Sequence, residues 1–357
     1  MNFRTRIFLL VICGAFALYV TAVRAPAQIA PAGKPIATKG VVIVTLGTHG
    51  GPGLTRERSE PASLLIVDGT PYLIDCGVGT MRRLLDAGVP SPQIQTIFIT
   101  HDHPDHTLGL ADVLENDFLS DDFGSPGRSR KFSIYGPPPT AELVNAAYNY
   151  IRVAYSTFAA ELLGASTLVD PFVAHEIDHD GLVYQDDKIR VTAAENTHFQ
   201  LMPAKYRARM KSFSYRFETP YGAIVFTGDT GPGGAVTKLA TGAAVLVSEV
   251  IDLGGATNSA AAASGTNLPQ APNAGALSAH MRMEHLPMKD LGEMATKAHV
   301  KAVLMIHFVG AGSGEQFVDG VKKYYSGPVF AGEDLARYCL GTPDASGAAA
   351  HTLARCQ

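Results

Sequence analysis

The sequence has few cysteines and no internal repeat. Of its four cysteines, Cys13 lies in the N-terminal segment and Cys76 in an apolar strand context, which leaves Cys339 and Cys356 near the C-terminus. In an oxidising compartment the last two would pair and fasten the tail, whereas in a reducing one they would stay free, and both alternatives remain open. No segment recurs with a period of about 20 to 50 residues, so a repeat architecture is excluded.

Positive charge is also scarce. Without residues 1–27, which contain three arginines and no acid, the chain has 26 basic and 33 acidic side chains. This balance argues against tight nucleic-acid binding through a broad basic face. A local basic run, Lys205, Arg207, Arg209 and Lys211, is interpreted as a solvated charged face, with steering of a small anion as the alternative.

Long apolar segments are missing except at the N-terminus. There, two arginines precede a 14-residue apolar run, Ile7–Val20, and Ala25-Pro26-Ala27 offers a small-x-small cleavage site. The pattern predicts a signal peptide over residues 1–27 and a periplasmic or secreted mature protein with no stable membrane anchor. The alternatives are an uncleaved anchor, for which the run is barely long enough, and a lipoprotein signal at Cys13, which comes too early.

Apolar runs alternate with amphipathic stretches along the rest of the chain, which is typical of an α/β fold with buried sheets. Residues 28–357 are expected to form one domain with loop insertions at about 119–130 and 254–275, the second a candidate lid. Strands are predicted at Val41–Leu46, Ser63–Val67, Tyr72–Asp75, Ile94–Thr100, Lys131–Tyr135, Phe172–Ile177, Ile189–Ala194, Phe213–Glu218, Ala223–Thr227, Ala244–Val250, Ala302–Ile306 and Val329–Phe330. Helices are predicted at Gly77–Ala87, Thr107–Leu119, Thr140–Leu163, Val236–Ala240, Met288–Ala298 and Glu315–Tyr325.

A dense group of possible metal ligands follows the strand that ends at Thr100. The sequence there is Thr-His-Asp-His-Pro-Asp-His, numbered from Thr100, and no hydrophobic core needs such a group. If the loop is extended, His101 and His103 face the same way and can share one ion, while Asp105 and His106 turn toward a second. Histidine nitrogens with carboxylate oxygens suit zinc, with iron or manganese as alternatives.

Each ion needs further ligands, and three candidates follow predicted strands. His198, Asp229 and His307 come after the strands that begin at Ile189, Ala223 and Ala302. Any one of them alone would be an ordinary surface or core side chain. Their recurrence at strand ends, together with the histidine loop, indicates one shared site.

The motif His-x-His-x-Asp-His, here His101 to His106, resembles that of the metallo-β-lactamase superfamily. The resemblance covers nearly the whole mature chain and implies a four-layer αββα sandwich with a two-metal site at one edge. It implies that His101, His103 and His198 hold the first ion and that Asp105, His106 and His307 hold the second. It further implies that Asp229 bridges both ions and that Asp75 supports them from behind.

Within the superfamily the chain is similar to the ribonuclease Z and arylsulfatase-like branch. The segments that carry this similarity are Leu73–Thr80, Ser214–Phe217 and Thr227–Pro232. In that branch a histidine matching His285 protonates the leaving group and a glutamate matching Glu249 orients it. The alternative for this pair is an ordinary surface loop contact.

The resemblance implies a hydrolase with two zinc ions, or manganese or iron, which act on an ester through a metal-bridging hydroxide. Asp105 would accept a proton and His285 would supply one to the departing oxygen. Ribonuclease Z enzymes usually carry a tRNA-clamping arm before the Gly-Asp-Thr motif, and only Glu218–Thr227 stands there in this chain. Nucleic acid is therefore an unexpected partner, and a small anionic ester is the expected one.

The leading hypothesis is a dinuclear zinc hydrolase of small phosphodiesters or aryl sulfates. The alternatives are a β-lactam hydrolase, a ribonuclease Z-like endonuclease and a metal-binding protein without hydrolytic activity. Dedicated β-lactamases lack a bridging aspartate at the position of Asp229, and redox members usually replace a motif histidine by an acid, so both classes fit less well. A homodimer is one alternative for the assembly, since relatives often dimerise.

Overall fold

The structure is a computed structural model that describes residues 39–51, 53–89, 93–115, 132–162, 172–254, 274–341 and 352–356. The predicted signal peptide, the insertion at 119–130 and nearly all of that at 254–275 lie outside the described residues. Residues 36–357 cluster as one compact unit. Within the described part, no helix has the length and apolar character needed to cross a membrane.

The first sheet is mixed and has eight strands. Its parallel part, from β3 to β6, follows the chain order, and the antiparallel part contains the hairpin β2–β3, whose turn has Asp68 and Gly69 at positive φ. In spatial order the strands are β15 (Ala354–Cys356), β14 (Ala336–Leu340), β1 (Val41–Gly47), β2 (Ala62–Val67), β3 (Thr70–Ile74), β4 (Thr96–Phe98), β5 (Phe132–Gly136) and β6 (Phe172–Glu176).

The second sheet has seven strands and comes from the second half of the chain. Its parallel part runs from β10 to β13, and the tight hairpin at Thr219–Gly222 joins β9 directly to β10. In spatial order the strands are β13 (Val329–Ala331), β12 (Val303–Val309), β11 (Val245–Ile251), β10 (Gly222–Phe226), β9 (Phe213–Thr219), β8 (Arg190–Glu195) and β7 (Gly181–Gln185).

Helices cover the outer faces of both sheets and complete a four-layer αββα sandwich. One apolar core lies between the sheets, and two further cores lie between each sheet and its own helices. The helices are α1 (Thr80–Asp86), α2 (Pro104–Thr107), α3 (Thr140–Leu162), α4 (Ala204–Arg207), α5 (Gly234–Leu239), α6 (Ala274–Met283), α7 (Met288–Lys297) and α8 (Gly314–Lys322). The predicted fold class is therefore confirmed.

The predicted elements are found with small shifts of their ends, and the predicted helix Thr107–Leu119 is helical over 110–115 within the described residues. Six further elements were not predicted, namely the strands β7, β14 and β15 and the helices α2, α4 and α6. A larger correction concerns β12, which was expected to end at Ile306 and instead continues to Val309, so that His307 lies inside the strand. Likewise β11 continues past Glu249 to Ile251.

The tail is fastened to the first sheet by both backbone and covalent bonds. Cys339 of β14 and Cys356 of β15 form a disulfide across adjacent antiparallel strands, with their Cα atoms 5.8 Å apart. The remaining cysteine in the described residues, Cys76, is buried, and burial raises the pKa of its thiol. Pairing of the two C-terminal cysteines is the first of the alternatives that the sequence left open.

Phe98 of β4 joins the two sheets in the central core. It is fully buried, and its ring centroid lies 5.7 Å from that of Tyr215 and 5.1 Å from that of Phe217, both on β9 of the other sheet. Stacking on Tyr135 and an edge contact with Tyr184 complete its surroundings. The residue that precedes the histidine loop by only a few positions is thus anchored in the best-packed part of the protein.

We expect Phe98→Ala to lower the free energy of unfolding by about 3–5 kcal/mol, because the cavity would be surrounded by rings that belong to two rigid sheets. Urea denaturation of the variant and of Tyr150→Ala, which removes a ring that is 73% exposed, measures the difference. A loss below about 1 kcal/mol for Phe98→Ala would contradict this account of the core.

Candidate metal centre

The histidine loop leaves the first sheet at the end of β4 and then turns into the short helix α2. Pro104 occupies the first helical position, where its missing N–H is not needed, and His103 precedes it as the N-cap. Asp105 and His106 lie on this helix, whereas His101 lies on the extended segment before it. The loop therefore divides its four ligand candidates between two backbone geometries, and this separates them in space.

Three histidines form the first group of ligand atoms. His101, His103 and His198 each offer a nitrogen, and these atoms lie within 4.8 Å of one another. His198 follows β8 of the second sheet, and its Nε2 lies 3.1 Å from Nδ1 of His103. The loop from one sheet thus meets a side chain from the other at the edge of the sandwich.

Asp105, His106 and His307 form the second group, also with ligand atoms within 4.8 Å. Nε2 of His307 lies 3.4 Å from Oδ2 of Asp105, and the backbone N–H of Gly51 donates to the same oxygen. All three side chains are buried. The loop after β1 therefore helps to hold Asp105 toward this group.

Asp229 lies between the two groups. Its Oδ2 is 3.1 Å from Nε2 of His307 and 3.9 Å from Nε2 of His198, and its Oδ1 is 3.4 Å from Nε2 of His106. The carboxylate follows β10 and is buried. One side chain is thus within reach of both groups, as the resemblance implied.

In His106 and His198, a hydrogen-bond partner holds the ring nitrogen that points away from the centre, so the other nitrogen of each ring points toward it. Nδ1 of His106 lies 2.9 Å from the Asp75 carboxylate and Nδ1 of His198 lies 2.8 Å from the Glu284 carbonyl. Carboxylate and carbonyl oxygens only accept, so each ring donates from Nδ1 and directs Nε2 toward the centre. Such partners on the far side of an imidazole are a general feature of metal-binding histidines.

Buried atoms without partners show that a cation fits this space. Among the described residues, Nε2 of His101, Nε2 of His106 and Oδ1 of Asp229 are buried and make no hydrogen bond. Leaving such groups unpaired in the interior is costly, and divalent ions held by the two ligand groups would satisfy them. Their chemistry, imidazole nitrogen with carboxylate oxygen, also suits such an ion.

The charge states of the side chains favour metal binding as well. Burial lowers the pKa of His101 and of His198 well below the ordinary value and lowers the pKa of His103 to about 4. Burial would raise the pKa of Asp229, but His307 and His106 overcome it and hold that pKa well below its usual range. The first group is therefore neutral and the carboxylate is ionised, which are the forms that coordinate a metal. Burial also lowers the pKa of His106 and of His307, but Asp229 and the other carboxylates overcome it and raise both pKa values, so a metal would displace a proton there.

An irregular stretch of the second sheet directs two site residues inward. The register between β11 and β12 shifts between Ser248 and Val250, so Glu249 lies at a bulge. On the neighbouring strand His307 has φ of 46°, which is unusual for a residue other than glycine. Bulges and positive φ values re-aim side chains and are common at functional sites. Both side chains therefore point into the site from positions inside strands, although the regular alternation of side chains along a strand would not direct both of them there.

Glu249 and His285 form a buried pair directly beside Asp229. Nδ1 of His285 donates to Oε2 of Glu249 at 2.6 Å and lies 3.8 Å from Oδ2 of Asp229, while the N–H of Thr230 donates to the other oxygen of Glu249. Burial lowers the pKa of His285, but Glu249 and the other carboxylates raise it to about 9. A surface loop contact, the alternative left open by the sequence, is wrong for this pair.

Asp75 supports the centre from the first sheet. Its Oδ1 accepts from the backbone N–H of Thr100 at 2.7 Å, and its carboxylate also accepts from the Thr100 hydroxyl. Nδ1 of His101 lies 3.1 Å from that hydroxyl, which fixes the ring. One carboxylate thus orients His106 directly and His101 through Thr100.

All the residues predicted for the site are brought together, and two more belong to it. His280 of α6 and Glu284 just after it were not predicted. Their His-x-x-x-Glu spacing directly before His285 is the signal that could have indicated them, since residues four apart share a face of a helix. Ligand atoms of His198, His280 and His285 lie within 4.8 Å of one another.

Comparison with known proteins agrees with this geometry. Residues 70–308 match the family model described as the β-lactamase superfamily domain. The chain is 29% identical over 316 residues to ribonuclease Z of Mycolicibacterium paratuberculosis, which covers 85% of this chain and 100% of that protein.

Two solved structures show the same fold at low identity. The metallo-β-lactamase fold protein YhfI from Bacillus subtilis superposes with a TM-score of 0.59 at 15% identity, covering 84% of this chain and 99% of that one. A diphosphatase from the PhnP family superposes with a TM-score of 0.56 at 15% identity, covering 83% and 96%. With the family model, the ligand groups and the αββα sandwich in agreement, the chain belongs to the metallo-β-lactamase superfamily and is a hydrolase homologous to ribonuclease Z.

Proposed function

We propose that this hydrolase holds two zinc ions and cleaves small ester substrates, phosphodiesters or aryl sulfates. The observation that carries the proposal is the Glu249–His285 pair at 2.6 Å, set against the bridging carboxylate Asp229. His285 belongs to neither of the two ligand groups that the resemblance implies, and its imidazole is held by a carboxylate of its own. A hydrolase that must protonate a departing oxygen needs such an imidazole.

The donor set supports zinc, and its division supports two ions. His101, His103 and His198 supply nitrogen, and the second group mixes nitrogen with carboxylate oxygen. Zinc accepts both kinds of ligand, whereas magnesium and calcium prefer oxygen. Manganese and iron remain the alternatives that this donor set also accepts.

Two divalent ions held by the two ligand groups and Asp229 would supply an activated water and stabilise negative charge on the ester oxygens. The side chains of the chain then have separate tasks. His285, protonated while its pKa stays near 9, gives a proton to the departing oxygen from Nε2, because Nδ1 is bound to Glu249. Asp105, at the edge of the second group, is placed to accept a proton from the attacking water.

A small substrate is favoured over tRNA. The hairpin at Thr219–Gly222 connects β9 to β10 without an arm, and Arg216 is engaged by the carbonyls of Leu239 and Thr241. The likeness to a diphosphatase favours a small phosphoester, whereas the ribonuclease Z relatives favour a phosphodiester of RNA. Export of the mature chain, which residues 1–27 predict, would also separate the protein from tRNA. For the assembly, a homodimer stays a prediction.

A zinc-loaded preparation tested on bis(4-nitrophenyl) phosphate, 4-nitrophenyl sulfate, a tRNA precursor and nitrocefin separates the candidate substrates. We expect turnover of at least one of the first two. Faster cleavage of the tRNA precursor or of nitrocefin would replace the small-ester proposal by the endonuclease or β-lactamase alternative.

We expect Asp75→Asn to weaken metal binding by roughly 10- to 100-fold, because His106 and, through Thr100, His101 lose the partner that fixes their rings. Competition with a chelating dye measures the affinity. Asp178→Asn is a matched control, since Asp178 also binds an imidazole, that of His179, but on the surface. An unchanged affinity in the Asp75 variant would contradict the support assigned to it.

We expect His285→Ala to reduce kcat by about 10²–10⁴ for esters with a poor leaving group such as phenol, and much less for 4-nitrophenol. A poor leaving group needs the proton, whereas a good one departs without it. Steady-state kinetics with both leaving groups measures this difference. Glu249→Gln should lower kcat for the poor leaving group by a smaller factor than His285→Ala does. Zinc content is measured in parallel, and the exposed His179→Ala is the control. Equal losses for the two leaving groups would remove the proton-donor role.

A further inference from the structure

An apolar cleft opens beside the first ligand group. It has a volume of about 430 Å³, and the ligand candidate His103 is one of its lining residues. Its apolar walls come from the loop after His198 and from helix α6, and the polar residues His280 and Glu284 complete it. We call it the apolar cleft, and its apolar lining residues are Phe199, Leu201, Met202, Ala276 and Ala279.

The apolar cleft lies on the same side of the centre as His285. Nε2 of His280, in the cleft wall, is 3.2 Å from Nε2 of His285, and Nδ1 of His280 donates to Oε2 of Glu284 at 2.6 Å. Nε2 of His285, the atom that the proposed mechanism directs at the departing oxygen, therefore contacts a wall residue of the cleft. A group attached to that oxygen would extend into this space.

The residues that line the apolar cleft favour an uncharged, apolar part of a substrate. No lysine or arginine is among the described lining residues, and both oxygens of Glu284 are engaged, one by His280 and the other by the N–H of Leu201. A further phosphate placed here would meet no opposite charge. Leu201 keeps 42% of its surface exposed beside the cleft, and an apolar occupant would cover it.

We propose that the apolar cleft is the leaving-group subsite and that it takes an aromatic alcohol group of the substrate. A volume of this size accepts one or two fused rings. The inference rests on the proposed ester hydrolysis and narrows its substrate class to aryl esters. In the reaction, the bond between phosphorus or sulfur and the aryl oxygen breaks, the hydroxyl of water joins phosphorus or sulfur, and the aryl oxygen leaves as the alcohol with a proton from His285.

Binding of the product-like probe 2-naphthol to the metal-loaded protein tests the subsite without turnover. We expect Ala279→Phe, which fills the cleft, and Leu201→Lys, which places a charge in its wall, each to raise the Kd of 2-naphthol by roughly tenfold or more. Leu201 is partly exposed, so its replacement is compatible with folding even if a larger residue at Ala279 is not. Ala146→Phe, on the exposed face of α3, is the matched control.

Kinetics supply the second measurement. For wild type, 2-naphthol should compete with an aryl ester, and both cleft variants should raise KM for that ester. Inhibition by inorganic phosphate should change little, because phosphate would bind at the metal centre and not in the cleft. Naphthol binding that is equal in wild type and in both cleft variants would overturn the proposal. Naphthol binding that the variants weaken, without turnover of any ester, would overturn ester hydrolysis while supporting the cleft as an aryl site.

Discussion

The buried carboxylate of Asp229 is the constraint on which the rest of the site depends. It sits among imidazoles from both sheets, and a charge so deep in a protein is tolerated only when opposite charge or a metal is close. The histidines also lack partners, because several of their ring nitrogens are buried and make no hydrogen bond. Divalent cations at this edge of the sandwich would offset the carboxylate charge and coordinate these nitrogens.

The fold meets this constraint through hydrogen bonds that orient three of the ligand side chains. Asp75 holds His106, the Glu284 carbonyl holds His198, and the Gly51 amide holds Asp105. The bulge at Glu249 and the positive φ of His307 are local departures from regular strand geometry. They are maintained by the parallel pairing of β11 with β12 on either side, which gives the site rigidity at a small cost in backbone strain.

The sequence predicted the ligands well because their spacing is local or follows strand ends. His101 to His106 lie close together in the chain. The strand before Asp229 is strongly apolar, and the strand before His198 begins with alternating apolar and polar residues. It predicted that His307 follows its strand, which was wrong, because a register shift between two strands depends on their packing and not on either pattern alone. The strands β7, β14 and β15 were missed since each is short and has intermediate or exposed positions.

Helix α6 shows most clearly what sequence patterns leave out. It follows a stretch rich in Gly, Ala and Ser and has a weak apolar periodicity, so nothing in it predicted a helix. Yet it carries His280 to within 3.2 Å of His285 and supplies one wall of the apolar cleft. The metal ligands define chemistry that many esters can undergo. Selection among those esters has to come from surfaces that touch the rest of the substrate, and on this side of the centre that surface is α6 together with the loop after His198. An apolar wall next to His285, the proposed proton donor, favours a leaving group that is both poorly hydrated and in need of a proton, and an aromatic alcohol has both properties.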